Sequence, residues 1–455
     1  LLLAEAFWMM EGYFVRTLGM HRVYNSAFMN MLKNQENQKY RNTIKNTLEF
    51  DPEILKRFVN FMNNPDEETA LAQFGKGDKY FGIATMMVTM PGLPMFGHGQ
   101  IEGFTEKYGM EYSRAYMDEQ ADEGLVRRHE REIFPLLKKR YLYAGVDNFC
   151  LFDLYSDFGG VNEDVFIYTN SSGFESSLVL YNNAYESARG WVRLSAASKN
   201  KANGNLEQKD LGQAFGLHAK VGYFLLLREQ RSGLWYIRKS KDICDRGLYV
   251  ELGGYQCQVF TDVHEVQDDE FFHYSKLHDR LEGAGTPDLD HALKEIYYTP
   301  LLSHFDLAVN AESINVLKET ALGNPVGAEK MDQLIYEPMI SFLKEAKNYT
   351  EDEWEADLVL EGLAERLQSL YTVSRLASRP ASEIPASVPT AAEALQWFQS
   401  GLEEEGAYGP VFLLWVLLGS LEVIELDDWL TERQVEKALG PIFDPFGLHK
   451  GLQVY

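Results

Sequence analysis

The spacing of apolar residues changes twice along the chain. From residue 1 to 140, short apolar runs of strand type alternate with segments whose apolar residues recur every three or four positions. From 141 to 268 apolar residues recur at every second position. From 269 onward they recur every three or four positions, without intervening strand-type runs. The pattern predicts a β/α region, then an antiparallel β-sandwich, then an all-α C-terminal region.

The first region predicts four consecutive strand-plus-helix units. Strands are expected in LLLAEAF (1–7), HRVYNSAF (21–28), VNFMNN (59–64) and PGLPMFGHGQ (91–100), and a helix over 78–90. Strands that alternate with helices form a parallel sheet with helices on its faces. Residues 1–140 are therefore expected to form four βα units of one parallel sheet.

The later regions predict two helical segments joined by a linker. We expect a β-sandwich domain over 141–268, a helical domain over 269–378 and a helical C-terminal segment over 390–455. The Pro-, Ser- and Ala-rich residues 379–389 read as the linker. The apolar run GPVFLLWVLLGSL (409–421) is too short and too interrupted to span a bilayer, so it predicts either a buried helix or a contact in a homo-oligomer.

Two acids follow apolar runs of the first region. Glu5 ends the run LLLA, and Asp66 follows FVNFMNNP. Burying a carboxylate at the end of an apolar strand is costly unless it has a partner or a function. Because parallel strands end at one edge of their sheet, both acids are expected where α/β barrels hold their catalytic residues.

These residues carry a resemblance to a known family. LLLAEAF, FMNNPDE and PGLPMFGHGQIEGF, in this order and spacing, resemble the fifth, seventh and eighth barrel strands of the α-amylase family of glycoside hydrolases and transglycosidases. The resemblance implies that Glu5 is the general acid/base and that Asp66 holds sugar hydroxyls and stabilises the transition state. It also implies that residues 1–140 form one half of an α/β barrel of the TIM type, strands five to eight with their helices. The resemblance covers about the first 110 residues, and the β domain by order and type only.

The sequence departs from this family at two points. Pro65 stands where the commonest pattern has a His that donates to the sugar, although the maltosyltransferases that use maltose 1-phosphate carry a similar Asn-x-Pro-Asp. The family's nucleophilic Asp lies on strand four in a Gly-x-Arg-x-Asp stretch, which is absent from this sequence. Retaining chemistry needs two carboxyl groups. The nucleophile-bearing half of the barrel is thus expected from an upstream segment or from a partner chain, or else the site is incomplete.

Four further residues are candidates for substrate binding. Asn64 is expected beside Asp66 in the cleft. Trp8 is either a wall for sugar stacking or a core aromatic of the following helix. His98 and Gln100 either line substrate subsites or belong to an ordinary strand-to-loop transition.

Three functions remain open from sequence alone. The first is an α-glucan-active retaining hydrolase or transglycosidase that acts on an α-glucan or a maltooligosaccharide. The second is a maltosyltransferase using maltose 1-phosphate, which needs a basic phosphate pocket, with Arg114, Arg127 and Arg128 as weak candidates. The third is a catalytically silent carbohydrate-binding or scaffold protein.

Composition narrows the classes of partner. The 455 residues contain 43 Lys and Arg against 68 Asp and Glu, a formal charge of −25 that disfavours nucleic acid and anionic membranes. Three irregularly spaced cysteines fit neither a disulfide framework nor a zinc site, so neither a metal nor a cofactor is expected. LLLAEAFWMM has no basic leader and no small-residue cleavage site, which predicts a cytoplasmic protein.

Overall fold

The structure divides the chain into two compact units, Leu1–Leu293 and Lys294–Tyr455. It is a computed structural model that describes residues 2–5, 11–107, 114–157, 159–324, 327–350, 354–377, 400–402, 409–424, 428–431, 433–434 and 437–438. The predicted linker 379–389 and most of the segment 390–455 lie outside these residues. Each unit is described by itself.

A four-stranded parallel sheet opens the first unit. Its strands are β1 (Leu3–Ala4), β2 (Arg22–Tyr24), β3 (Phe58–Phe61) and β4 (Leu93–Met95), and they are neighbours in chain order. All four residues of β3 are buried, as expected for a strand covered on both faces. The connecting helices are α1 (Glu11–Arg16), α2 (Ser26–Lys33), α3 (Asn37–Phe50), α4 (Ala70–Phe74) and α5 (Asp78–Thr89). The alternation of strand and helix and the helix predicted over 78–90 are confirmed.

Two helices of this region were not expected from the sequence. The strand predicted over 21–28 ends at Tyr24, because the Asn25 side chain accepts a hydrogen bond from Phe28 N and caps α2. The polar stretch after it forms α3, whose buried residues include Tyr40, Ile44 and Leu48. Residues four apart lie on one helix face, so a narrow apolar stripe suffices to anchor an otherwise polar helix.

The helices α6 (Glu123–Glu132), α7 (Phe134–Lys138) and α8 (Arg140–Tyr143) lead into an eight-stranded antiparallel sheet. Along the chain its strands are β5 (Cys150–Tyr155), β6 (Val161–Ser172), β7 (Glu175–Asn182), β8 (Ala188–Ser195), β11 (Tyr223–Glu229), β12 (Trp235–Lys239), β13 (Leu248–Leu252) and β14 (Cys257–Gln267). Their spatial order is β12-β11-β14-β7-β6-β5-β8-β13.

The sheet is continuous, so the expected sandwich of two separate sheets is wrong, whereas its antiparallel strands are confirmed. Register shifts occur in β5 between Phe152 and Leu154 and in β11 between Leu226 and Arg228, and such bulges bend a sheet. The strands β12 and β13 lie at opposite ends of the sheet order, yet they line the same cavity. The sheet therefore curls so that its two ends approach each other. A curled sheet can enclose a core that the sequence pattern alone assigns to two sheets.

Shorter elements fill the polar segment 195–214. A two-stranded hairpin pairs β9 (Ser198–Lys199) with β10 (Leu206–Glu207), and Asp210 caps α9 (Leu211–Phe215). The helix α10 (Ser240–Arg246) links β12 to β13.

The parallel sheet and the eight-stranded sheet of the first unit are joined through helices α3 and α5. Arg41 of α3 is fully buried and bonds to Asp153 and Glu163, and to the carbonyl oxygen of Val165. Gly82 of α5 faces the ring of Tyr181, where a Cβ would lie 2.0 Å from Cε2. These contacts hold the parallel sheet and the antiparallel sheet as one unit.

Helices dominate the remainder of the chain. They are α11 (His273–Leu281), α12 (Leu289–Tyr297), α13 (Thr299–Ala308), α14 (Ala311–Ala321), α15 (Ala328–Met331), α16 (Glu337–Ala346), α17 (Ala356–Ala377) and α18 (Gly409–Leu418), with a π-helical turn at Asp332–Tyr336. The predicted helicity is confirmed for the described part. In α18, Leu413 and Leu417 are buried, whereas Val411 and Trp415 are exposed. Among the described helices, none is long and apolar enough to cross a membrane.

Candidate functional site

The carboxyl ends of the four parallel strands gather the residues predicted to be functional. Glu5 follows β1, Asn64 and Asp66 follow β3, and His98 and Gln100 follow β4. Because the strands run parallel and are neighbours in chain order, these residues share one edge of the sheet. Trp8 lies outside the described residues.

Glu5 and Asp66 are both exposed at this edge. Asp66 sits in a turn that Asn64 builds, since Asn64 Oδ1 accepts hydrogen bonds from the backbone N–H groups of Asp66 (3.1 Å) and Glu67 (3.0 Å). Lys107 Nζ donates to the carbonyl oxygen of Asp66 at 3.0 Å. Asn64 is only 9% exposed, and its amide oxygen is used to hold the turn. Asn64 therefore positions Asp66, and the carboxylate of Asp66 is left accessible to solvent.

A buried amide pair lies beneath these residues, and sequence reasoning missed it. Asn25 Nδ2 donates to Asn60 Oδ1 at 2.9 Å, and Asn60 Nδ2 donates to the carbonyl oxygen of Pro91 at 3.2 Å. The pair links the ends of β2 and β3 to the segment before β4. An Asn within the buried run FVNF was the available signal, because buried amides require partners.

Asn63 is a second residue that sequence reasoning missed. It is 5% exposed, and its Oδ1 is buried without a hydrogen bond from the described residues. It lies against Gly97, where a Cβ would meet Asn63 Oδ1 at 2.3 Å. Such a buried, unpaired amide oxygen is the kind of group that a buried water molecule satisfies in folded proteins.

The two residues predicted after β4 have different surroundings. Gln100 is 1% exposed, and its Oε1 accepts from Gly97 N at 3.0 Å while its Nε2 lies 3.3 Å from Met62 Sδ. The structure therefore gives Gln100 a part in holding the loop, and its predicted contact with substrate gains no support. His98 is exposed, and its ring centroid lies 6.0 Å from that of Phe104.

The loop after β4 is held by two glutamates. Glu119 accepts hydrogen bonds from Thr105 N and Thr105 Oγ1 and from Glu106 N, and Glu106 accepts from Tyr116 N and Met117 N. Partial burial acts to raise the pKa of Glu119, but the hydrogen bonds from Thr105 and Glu106 and the nearby His98 hold this pKa below its ordinary value. The ionised form of Glu119 thus stabilises the loop that carries His98.

The proposed phosphate pocket gains no support from its arginines. Arg128 donates to Asp78 at 2.5 Å and to Glu132 at 2.9 Å, and its guanidinium lies 4.0 Å from the centroid of the Phe81 ring. Arg114 and Arg127 are exposed. Within the described part of the chain, no group of three or more His, Cys, Asp or Glu residues could hold a metal ion.

Comparisons with known proteins give similarity at the level of structure only. No protein-family model matches the chain, and no curated protein matches it. Similar solved structures include an Anoxybacillus α-amylase, with 14% sequence identity and a TM-score of 0.38. The match covers 57% of this chain and 51% of the α-amylase chain. A maltogenic α-amylase from Thermotoga neapolitana has 11% sequence identity and a TM-score of 0.38. The match covers 58% of this chain and 54% of the maltogenic α-amylase chain.

A debranching enzyme from Nostoc punctiforme has 14% sequence identity and a TM-score of 0.36. The match covers 57% of this chain and 50% of the debranching-enzyme chain. The chain thus spans about half the length of the structures it matches. At these TM-scores the likeness does not establish a common fold and assigns no role to any residue of this chain. The similar structures named here are two α-amylases and a debranching enzyme, and the sequence motifs of the chain resemble the α-amylase family.

Proposed function

We propose that this chain is part of an α-glucan-active retaining glycoside hydrolase or transglycosidase of the α-amylase type. The observation that carries the proposal is the common edge of the parallel sheet, where Glu5 follows the first strand and Asp66 follows the third. Both carboxylates are exposed there, as groups that meet a substrate must be. The order of these acids along the chain matches the motif resemblance of LLLAEAF and FMNNPDE.

Glu5 is proposed as the general acid/base. In a retaining mechanism this group protonates the leaving oxygen and then activates a water molecule, while a second carboxylate about 5 Å away forms the glycosyl-enzyme bond. The sequence contains no Gly-x-Arg-x-Asp stretch to supply that nucleophile. The nucleophile is therefore proposed to come from residues outside this chain, from an upstream segment or a partner chain.

Asp66 is proposed to accept hydrogen bonds from hydroxyls of the sugar. Such bonds stabilise the transition state if they strengthen as the ring distorts, and a preorganised acceptor needs no rearrangement during the reaction. The turn held by Asn64 supplies this preorganisation.

We also propose that the four strands are half of an eight-unit barrel. β1 pairs only with β2 and β4 only with β3 among the described strands, and both edges expose leucine: Leu2 is 56% exposed, Leu3 48% and Leu93 46%. Open, apolar strand edges invite pairing with further strands. Strands from outside this chain would close the barrel and bring the missing carboxylate to the strand ends.

The test is reducing-end release from amylose by the complete protein, together with a mass measurement that identifies the natural polypeptide. Glu5→Gln should lower kcat by several orders of magnitude because the leaving group loses its proton donor, and Asp66→Asn should lower kcat more than it raises KM. Glu67→Gln is the matched control, since only the backbone N–H of Glu67 contacts the Asn64 turn. Full activity of Glu5→Gln would exclude the proposed role.

A further inference from the structure

A row of three aromatic residues crosses one end of the antiparallel sheet. Tyr155 of β5 pairs directly with Trp191 of β8, and Trp191 pairs directly with Tyr249 of β13. Directly opposed residues of antiparallel strands project to the same face, with Cβ atoms about 5 Å apart. The rings of Trp191 and Tyr249 are in contact, with centroids 5.2 Å apart and planes inclined by 64°. We call these three residues the aromatic row.

The aromatic row lies outside the core that the curled sheet encloses. Leu154, Val192 and Val250, which neighbour the three aromatic residues in sequence, are buried in that core. Side chains alternate between the two faces of a strand, so the aromatic row projects to the opposite face. Trp191 and Tyr155 are half-buried and Tyr249 is 37% exposed. Because the planes of Trp191 and Tyr249 are inclined by 64°, the row is an uneven apolar platform, on which separate ring units of a ligand can each pack against one side chain.

Two glycines fix the backbone under this platform. A Cβ on Gly190 would lie 2.2 Å from the carbonyl oxygen of Tyr155, and a Cβ on Gly247 would lie 2.2 Å from that of Val192. Both glycines have positive φ, at +157° and +91°. The close approach of these backbones leaves no room for a side chain at either position.

A groove of about 750 Å³ borders the aromatic row. It is lined by Tyr155 and Trp191 together with Arg193, Leu194, Asp210, Cys244, Asp245 and Arg246. Two arginines and two aspartates give this lining no net formal charge, and the whole chain carries −25. A polyanion would be repelled by the chain, whereas a neutral ligand rich in hydroxyl groups finds both hydrogen-bond donors and acceptors.

We propose that the aromatic row and its groove bind a segment of a linear, neutral α-glucan, as a site separate from the carboxyl ends of the parallel strands. Sugar rings present flat C–H faces that stack on aromatic side chains, and their hydroxyl groups match the charged groups along the groove. The sheet spacing of about 4.8 Å per strand makes the row about 10 Å long, which is enough for more than one sugar ring. The choice of an α-glucan rests on the proposed function.

The test is affinity electrophoresis of the full chain in native gels that contain amylopectin, with hydroxyethylcellulose gels as the β-linked control. Amylopectin should retard the wild type and hydroxyethylcellulose should not. Trp191→Ala and Tyr249→Ala should each raise the Kd for amylopectin about tenfold or more, because a stacking surface is lost. Tyr249→Phe keeps the ring and should bind like the wild type.

Matched controls separate this site from general effects of removing an aromatic ring. Tyr185, 79% exposed in the same unit, and Trp415, 51% exposed in the second unit, lie outside the aromatic row, so Tyr185→Ala and Trp415→Ala should not change retardation. Circular dichroism checks that each variant is folded. If Trp191→Ala fails to fold, Tyr249→Ala decides the outcome, because Tyr249 is the more exposed residue.

Two results would overturn the inference. One is that amylopectin does not retard the wild type. The same conclusion follows if amylopectin retards the Trp191→Ala and Tyr249→Ala variants as strongly as it retards the wild type. The other is a concentration-dependent dimer in sedimentation that Trp191→Ala abolishes, with no glucan binding, since the row would then contact a second copy. Turnover without retardation rejects only the glucan-binding row, and retardation without turnover rejects only the proposed enzymatic function.

Discussion

Replacing Gly82 by alanine tests how α5 packs against the antiparallel sheet. At an ordinary position inside a helix, this change stabilises a protein by about 0.5–1 kcal/mol, because glycine loses more backbone entropy on folding. Gly82 is not an ordinary position. A Cβ there would lie 2.0 Å from Cε2 of Tyr181 and 2.5 Å from both Cδ2 and Cζ, distances that carbon atoms cannot adopt.

Tyr181 cannot move aside without loss. It is fully buried, and its hydroxyl lies 2.9 Å from Asn183 Oδ1 and 3.2 Å from the carbonyl oxygen of Lys79. Overpacking costs about 1–3 kcal/mol, and a displaced buried hydroxyl costs about 1–3 kcal/mol more. After subtracting the helix gain of about 0.5–1 kcal/mol, Gly82→Ala should lower the free energy of unfolding by about 1–5 kcal/mol.

Urea unfolding followed by circular dichroism measures this change in two backgrounds. In the Tyr181→Ala background the obstructing ring is absent, so Gly82→Ala should become neutral or stabilising by up to about 1 kcal/mol. Gly145→Ala is the control, since nothing lies within 4 Å of a Cβ there. An equal effect of Gly82→Ala in both backgrounds, or stabilisation in the wild type, would refute the steric argument.

Two further predictions concern buried polar groups. Arg41→Leu should lower the free energy of unfolding by about 3–5 kcal/mol, because Asp153 and Glu163 lose their buried cation. The control in the same urea series is Arg57→Leu, which should cost less. Arg57 is half-buried and has no carboxylate partner among the described ion pairs. Burial raises the pKa of the Cys257 thiol from 9.0 to about 11. The unfolded chain therefore releases this proton first, so stability should be constant below about pH 8.5 and should fall as the pH rises towards 11. Cys257→Ala should reduce the slope of unfolding free energy between pH 9 and 10.5, and an unchanged slope would contradict the assignment to this thiol.

The sequence alone determined the types of element and most of their order. Alternating strand and helix patterns predicted the parallel sheet of the first 140 residues, and period-two runs predicted antiparallel strands after it. The same reasoning placed Glu5 and Asp66 after strands of one sheet, which follows from chain direction and needs no knowledge of contacts. Periodicity reports which side of an element is buried, and that is local information.

Tertiary structure decided which elements meet. The sequence could not show that eight strands form one curled sheet, because period-two patterns do not identify a strand's neighbours. The link from Asn25 through Asn60 to Pro91 and the burial of Gln100 likewise depend on contacts between distant residues. The aromatic row exists only because β8 lies between β5 and β13, which brings together residues 155, 191 and 249. Pairing between strands far apart in sequence is set by the packing of the whole unit, since no single strand carries enough information to select its neighbours.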